Sequence, residues 1–205
     1  MSGGTAPSPD PALPFAVVAL AASAGGVHAL SVVLGALPAT LPVPVLVVQH
    51  LDPRHETMLA DVLSRQTELA VKLADDGDVA TAGTAYLAPP DRHLLVGSDD
   101  VLSLSAAELV NFVRPSADLL FESAAGAYGD QTVAVVLTGT GRDGAMGARA
   151  VNARGGTVIV QDLTSARFGG MPRAAAETAG PDFVLPLDEI GPTVCRLVVP
   201  RKTVT

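Results

Sequence analysis

Phe15-Ala-Val-Val-Ala-Leu-Ala-Ala-Ser-Ala-Gly-Gly-Val-His-Ala-Leu30 opens with six apolar residues and no polar alternation. Such a run predicts a strand buried on both faces, as in parallel sheets. The run breaks at residues 21–26, after which Val27, Leu30, Leu34 and Leu37 recur at helical spacing. Strand, tight loop and helix in succession are the unit from which parallel α/β sheets are wound.

Working outward, the unit recurs. Residues 43–48 form a second apolar run ending at Gln49-His50, and Met58, Leu59, Val62 and Leu63 mark the helix after it. Residues 132–137 are a third strand, followed by the glycine-rich loop 138–144 and a helix over 145–154 closed by Gly155-Gly156. Residues 157–161 and 183–185 read as further strands, with a helix over 171–178 between them. Leu187, Ile190, Val194 and Leu197 mark a last helix. Ser116 is a favourable N-cap for a helix carrying Leu119, Leu120, Ser123 and Ala127. Between residues 71 and 104 short runs alternate with Gly, Pro and Asp turns, which predicts short strands and a hairpin rather than another βαβ unit. The expected fold is a single-domain α/β structure. It has a doubly wound, mostly parallel sheet, helices on both faces and a short β-hairpin insertion. The domain is expected over residues 15–199, between a disordered Gly-, Ser- and Pro-rich leader (1–14) and a tail (200–205).

Composition narrows the function. Of 205 residues, 48% are hydrophobic and 17% charged, the balance of a packed domain rather than a disordered chain. Aromatics are 3%, so the core is expected to be built from small and branched aliphatics. The net charge of −8, with no basic cluster longer than Arg201-Lys202, argues against nucleic acid as a partner. The single cysteine, Cys195, excludes an internal disulfide and is expected in the core. Residues 1–14 lack the charge and apolar run of a signal peptide, and no 18-residue apolar stretch could insert into a membrane. A cytoplasmic location is expected.

In open parallel sheets, ligands sit beyond the carboxyl ends of the strands. That rule selects the loops 21–26, 49–55 and 138–144. The first offers Ser23, with Gly25 and Gly26 leading into a helix whose free amides suit an oxyanion. The second offers His50, a base able to work near neutral pH. The third offers Asp143, able to orient the imidazole, or alternatively to cap the helix starting at Ala145. His28 is placed within the first helix, away from the loop mouth. His55 is expected at the rim and His93 at the border of the cleft. Ser23, His50 and Asp143 together make a Ser-His-Asp triad, in a chain order unlike that of the α/β-hydrolases. Three other readings stay open: a phosphate or nucleotide module, a non-catalytic scaffold, and an esterase or amidase acting on small molecules. The first lacks both the G-x-G-x-x-G pattern and the P-loop lysine.

Ala22-Ser-Ala-Gly-Gly26, Val47-Val-Gln-His50, Leu137-Thr-Gly-Thr-Gly-Arg-Asp-Gly-Ala145 and Phe168-Gly-Gly-Met-Pro172 resemble, in order, signatures of the chemotaxis receptor methylesterase catalytic domain. Ala88-Pro-Pro-Asp-Arg-His93, Arg114-Pro-Ser-Ala-Asp118 and Leu185-Pro-Leu-Asp188 resemble further segments of that family. The resemblance implies a serine hydrolase that demethylates glutamyl methyl esters on chemoreceptors and can deamidate glutamines, working through an acyl-enzyme. It makes Ser23 the nucleophile, His50 the general base and Asp143 its orienter, with no cofactor and no metal. The implied partner is a methyl-accepting chemotaxis receptor or a related signalling protein. The receiver domain usual in the family is not found in this sequence, so no phosphorylation control within the chain is expected. Ala22, Ala24, Val113 and Thr140 depart from the family pattern, in which glycine, a hydroxyl residue, histidine and methionine are common.

Overall fold

A computed structural model describes residues 15–50 and 57–199. The expected leader and tail, and His55, lie outside the described residues. The opening apolar run is strand β1 (Val17–Ala22), completely buried, and Gly26–Gly35 is helix α1. Strand β2 (Val45–Gln49) and the short helix α2 (Leu59–Ser64) follow. Strands β3 (Ala70–Leu73), β4 (Thr84–Leu87), β5 (His93–Val96) and β6 (Leu102–Ser105) come before helix α3 (Ala117–Tyr128). The second half alternates regularly: β7 (Thr132–Val136), α4 (Ala145–Ala153), β8 (Thr157–Gln161), α5 (Gly170–Ala179), β9 (Phe183–Leu185) and α6 (Leu187–Val198).

Seven strands pair in parallel in the order β3-β4-β2-β1-β7-β8-β9, while β5 and β6 form the separate antiparallel hairpin. Both β3 and β4 belong to the main sheet. They join it without a helix between them, and the turn-rich composition of residues 71–104 masked that membership.

Alternation along each strand splits the core into two layers. Val17, Ala19 and Ala21 face α3, α4 and α5, whereas Val18, Leu20 and Ala22 face α1 and α6. The first layer is rich in alanine, and this lets helices sit close. A Cβ on Gly147 of α4 would lie 2.6 Å from the Asp118 carbonyl oxygen and 2.7 Å from Phe121 Cβ on α3. Two apolar positions fall differently from their spacing. Val27 is exposed, because the buried stripe of α1 runs through Ala29, Leu30, Val33 and Leu34. Cys195 is only half-buried, with its thiol directed at the Ala36 carbonyl.

The sheet positions the site. From β1 the chain builds outward to β2 on one side and, in its second half, to β7 on the other. The loops after β1, β2 and β7 therefore emerge side by side, at the point where the winding reverses.

Candidate active site

The β1–β2 register ends at the pair Ala22–Gln49, so Ser23 and His50 are the next residues on neighbouring strands. The His50 amide still donates to the Ala22 carbonyl at 3.1 Å. On the other side the Ser23 amide donates to the Thr138 carbonyl at 3.0 Å, which fastens the serine to the loop after β7. The turn between serine and helix passes through Gly25 at φ +76°, a backbone conformation that glycine adopts without penalty.

Gln49, buried at the end of β2, ties two of the three loops together. Its Nε2 donates to the backbone carbonyls of Ser23 and His50, both at 2.9 Å. Its Oε1 is buried with no hydrogen-bond partner and presses on Gly26, where a Cβ would lie 2.0 Å from it. Thr138 fixes the third loop. Its amide donates to Gln161 Oε1 at 2.8 Å, and its hydroxyl lies 3.1 Å from the Ala24 carbonyl and 2.9 Å from the Phe168 amide. Gly139 packs so closely that a Cβ there would meet Met171 Sδ at 2.2 Å and Ser23 Cβ at 2.8 Å.

Asp143 is 3% exposed and does not cap the helix that follows it; Gly144, at φ +90°, occupies that position. Its carboxylate turns instead to the start of α3. There Oδ2 accepts from the Ala117 amide at 2.6 Å, and Oδ1 accepts from the Ser116 hydroxyl at 2.8 Å and the Asp118 amide at 3.2 Å. Oδ2 also accepts from His50 Nε2 at 2.9 Å. Burial pushes the Asp143 carboxyl up, but the bonds from His50, the Ala117 amide and the Ser116 hydroxyl outweigh it and hold the group below the usual carboxylate range. The positive end of α3 acts in the same direction. Asp118, in the same first turn of α3, goes the other way. Burial raises it first, and the neighbouring Asp143 charge raises it further, against bonds from the Gly147 amide and Asn111.

Ser23, His50 and Asp143 line one cavity of about 420 Å³, together with Asn111, Phe112, Val113, Thr140, Gly141 and Arg142. The three residues singled out from the sequence are thus brought together. The other histidines are not part of the group. His28 is exposed on α1 and lines a separate, smaller cavity beside Gly25 and Arg167. His93, expected at the border of the cleft, is wholly buried behind it. Its Nδ1 accepts from the Ser116 amide at 3.1 Å and its Nε2 reaches the Glu108 carbonyl at 3.0 Å, so it supports the cap that holds Asp143. Sequence reasoning missed Gln49, Asp118 and Thr138 as supports, and Phe112 as a wall. Gln49 carried the one available signal, a polar residue closing a fully apolar strand. Among the described residues no group of three or more acidic, histidine or cysteine side chains is placed to hold a metal ion.

Comparison with known proteins shows what the whole chain is similar to. The family profile described as CheB methylesterase matches residues 18–194. A Pyrococcus abyssi protein named protein-glutamate methylesterase/protein-glutamine glutaminase is 41% identical over 92% of this chain and 52% of its own length. The protein-glutamate methylesterase FrzG of Myxococcus xanthus is 39% identical over 92% of this chain and 56% of its own length. The chain thus spans about half of these two relatives, whereas a 37% identical Leptospira interrogans relative is matched over 95% of its length. The crystal structure of the Thermotoga maritima CheB methylesterase catalytic domain superposes with a TM-score of 0.86, at 37% identity, covering 90% of this chain and 99% of that one. With the family profile spanning all but the edges of the described domain, this chain belongs to the CheB methylesterase family.

Proposed function

We propose that this chain is a serine hydrolase that removes methyl groups from glutamyl γ-methyl esters on a chemoreceptor or related signalling protein, and that it can deamidate glutamines by the same route. The observation that carries the reading is the His50–Asp143 pair beside Ser23 in one cavity, in a member of this family.

Because His50 gives Nε2 to Asp143, its Nδ1 is the nitrogen left to take a proton. In the proposed reaction Ser23 Oγ attacks the ester carbonyl as Nδ1 accepts its proton. Asp143 holds the ring and stabilises the imidazolium. Collapse of the tetrahedral intermediate breaks the bond to methoxide, which leaves as methanol with the proton from His50. Water then attacks the acyl-serine by the reverse proton route and releases the glutamate carboxylate. For the oxyanion, the Gly139 amide is already committed to the Phe168 carbonyl at 2.9 Å, and the Gly26 amide to the Ser23 carbonyl at 2.8 Å. The donors assigned are therefore the amides of Ala24 and Gly25 at the start of α1 and of Thr140 and Gly141 on the cavity wall. Losing one such donor typically costs about 3–4 kcal/mol of transition-state stabilisation.

The substrate segment is proposed to lie in the cytoplasm. No helix among the described residues is long and apolar enough to cross a membrane. The test is methanol release from a methylated receptor fragment, alongside labelling by a fluorophosphonate. Ser23→Ala is expected to lose labelling and to lower turnover by at least about 10⁴-fold. A Ser23→Ala variant that still releases methanol at the wild-type rate rules out the covalent route. A labelled wild type that releases none rules out the substrate.

A further inference from the structure

Phe112 is the most exposed large apolar side chain among the described residues, at 95%, and it stands on the wall of the cavity that holds Ser23 and His50. Its backbone is equally unusual. Asn111 at φ +50° and Phe112 at φ +66° are consecutive residues in the left-handed region. Asparagine tolerates that region, but a bulky aromatic enters it only when its surroundings hold it there.

The surroundings do hold it. Val110 and Val113 exchange both backbone hydrogen bonds, at 3.2 and 2.9 Å, which closes a two-residue turn with Asn111 and Phe112 at its tip. Asn111 Nδ2 donates to Asp118 Oδ2 at 2.8 Å, and Asp118 Oδ1 accepts from the Gly147 amide at 2.8 Å, so the turn is pinned to α3 and α4. Just beyond the turn, Arg114 donates to Asp91 and to the carbonyls of Ala106 and Ala107. An aromatic ring is thus presented to solvent on a strained turn that is tied on both sides. The pinning carboxylate belongs to Asp118, whose own amide binds Asp143.

We propose that Phe112 is a specificity-determining residue that packs against an apolar side chain flanking the reacting glutamyl ester on the substrate polypeptide, and so selects a protein ester over a free small one. This rests on the glutamyl-ester reading above. Phe112 lines the same cavity of about 420 Å³ as Ser23, and its exposed ring extends that wall toward solvent, on the side where a residue neighbouring the ester on a longer chain would pass. The rigid turn presents this apolar surface already ordered, so little conformational freedom is lost on contact.

The probes are two synthetic helical peptides, each with one glutamyl γ-methyl ester. One carries leucine on the adjacent helical turn and the other serine at the same place. Methanol release is measured for the wild type, Phe112→Ala and Phe112→Leu. The wild type is expected to prefer the leucine peptide about tenfold in kcat/KM, mostly through KM, the size of effect one apolar pocket contact supplies. Phe112→Ala is expected to bring that ratio near one, and Phe112→Leu to restore most of it. Circular dichroism is expected to match the wild type in both variants. An active wild type without preference, or a Phe112→Ala enzyme that keeps it, overturns the inference alone. A wild type that releases methanol from neither peptide overturns the glutamyl-ester reading and this inference together.

Discussion

At the scale of single residues, the site depends on side chains whose partners are backbone atoms. Gln49 donates to the carbonyls of both Ser23 and His50, so it sets the spacing between the proposed nucleophile and its base. Gln49→Leu keeps the bulk and removes both donors. Losing these two hydrogen bonds is expected to cost about 0.5–1.5 kcal/mol each, since the Ser23 carbonyl keeps its bond from the Gly26 amide. Turnover is expected to fall with KM little changed, because the binding wall is untouched; steady-state methanol release checks this. Asp143→Asn addresses the other partner of His50. An amide can present its nitrogen to Nε2, favouring the wrong imidazole tautomer, a change worth about 10⁴-fold in kcat in the trypsin case. A loss of that order, with fluorophosphonate labelling slowed in parallel, is the expected outcome.

At the scale of elements, the close approaches matter most. In Gly139→Ala the new Cβ lies 2.2 Å from a flexible Met171 sulfur, which can move, but 2.8 Å from Ser23 Cβ, which cannot move without shifting the proposed nucleophile. Activity is therefore expected to fall far more than stability, measured as turnover beside the thermal midpoint. Gly147→Ala reverses that order. Its Cβ meets α3 backbone at 2.6 Å, so α3 and α4 must part, at a cost of about 1–3 kcal/mol. For a chain of this size that corresponds to a fall of roughly 2–4 °C in the midpoint per kcal/mol. These elements also show what the sequence could reveal. Regular strand-helix units such as 17–35 and 132–153 were legible, because an apolar run followed by a 3.6-residue stripe has few other solutions. The two early strands β3 and β4 were not legible as sheet members. The connection between them has no helix, and they join the sheet only through the pairing of β4 with the distant β2. The three candidate residues were singled out because each lies in a loop that follows a sheet strand, Ser23 and His50 directly after β1 and β2, and Asp143 just before α4. What Asp143 caps could not be found, since the choice of α3 over α4 depends on contacts 25–27 residues apart. Phe112 was invisible for a related reason, because no local pattern marks a turn held by Asp118.

At the scale of the whole molecule, the proposed catalytic pair also contributes to stability, and acid should reveal how much. The unfolded Asp143 carboxyl titrates near 3.8, and the folded one below it. The folded state therefore binds fewer protons in that window. Its contribution is fully present above about pH 5 and is lost as pH falls through the lowered value. Asp78 and Asp162 are also lowered, Asp78 first by the Asp75 amide and Asp162 first by the Thr164 hydroxyl. Both lie near the surface, where water and salt screen their share. Asp118 acts in the opposite direction: raised chiefly by burial, it favours the folded state as it becomes protonated. Acid sensitivity that persists in high salt should therefore come mainly from Asp143. Thermal midpoints of wild type and Asp143→Asn, followed from pH 6 to pH 3 at low and high salt, are the measurement. The wild type is expected to lose stability on acidification at both salt levels. The variant starts lower and is expected to decline much less, or to gain slightly through Asp118. Parallel curves for the two proteins at high salt would mean that the buried carboxylate is held by the α3 terminus too weakly to matter to the fold.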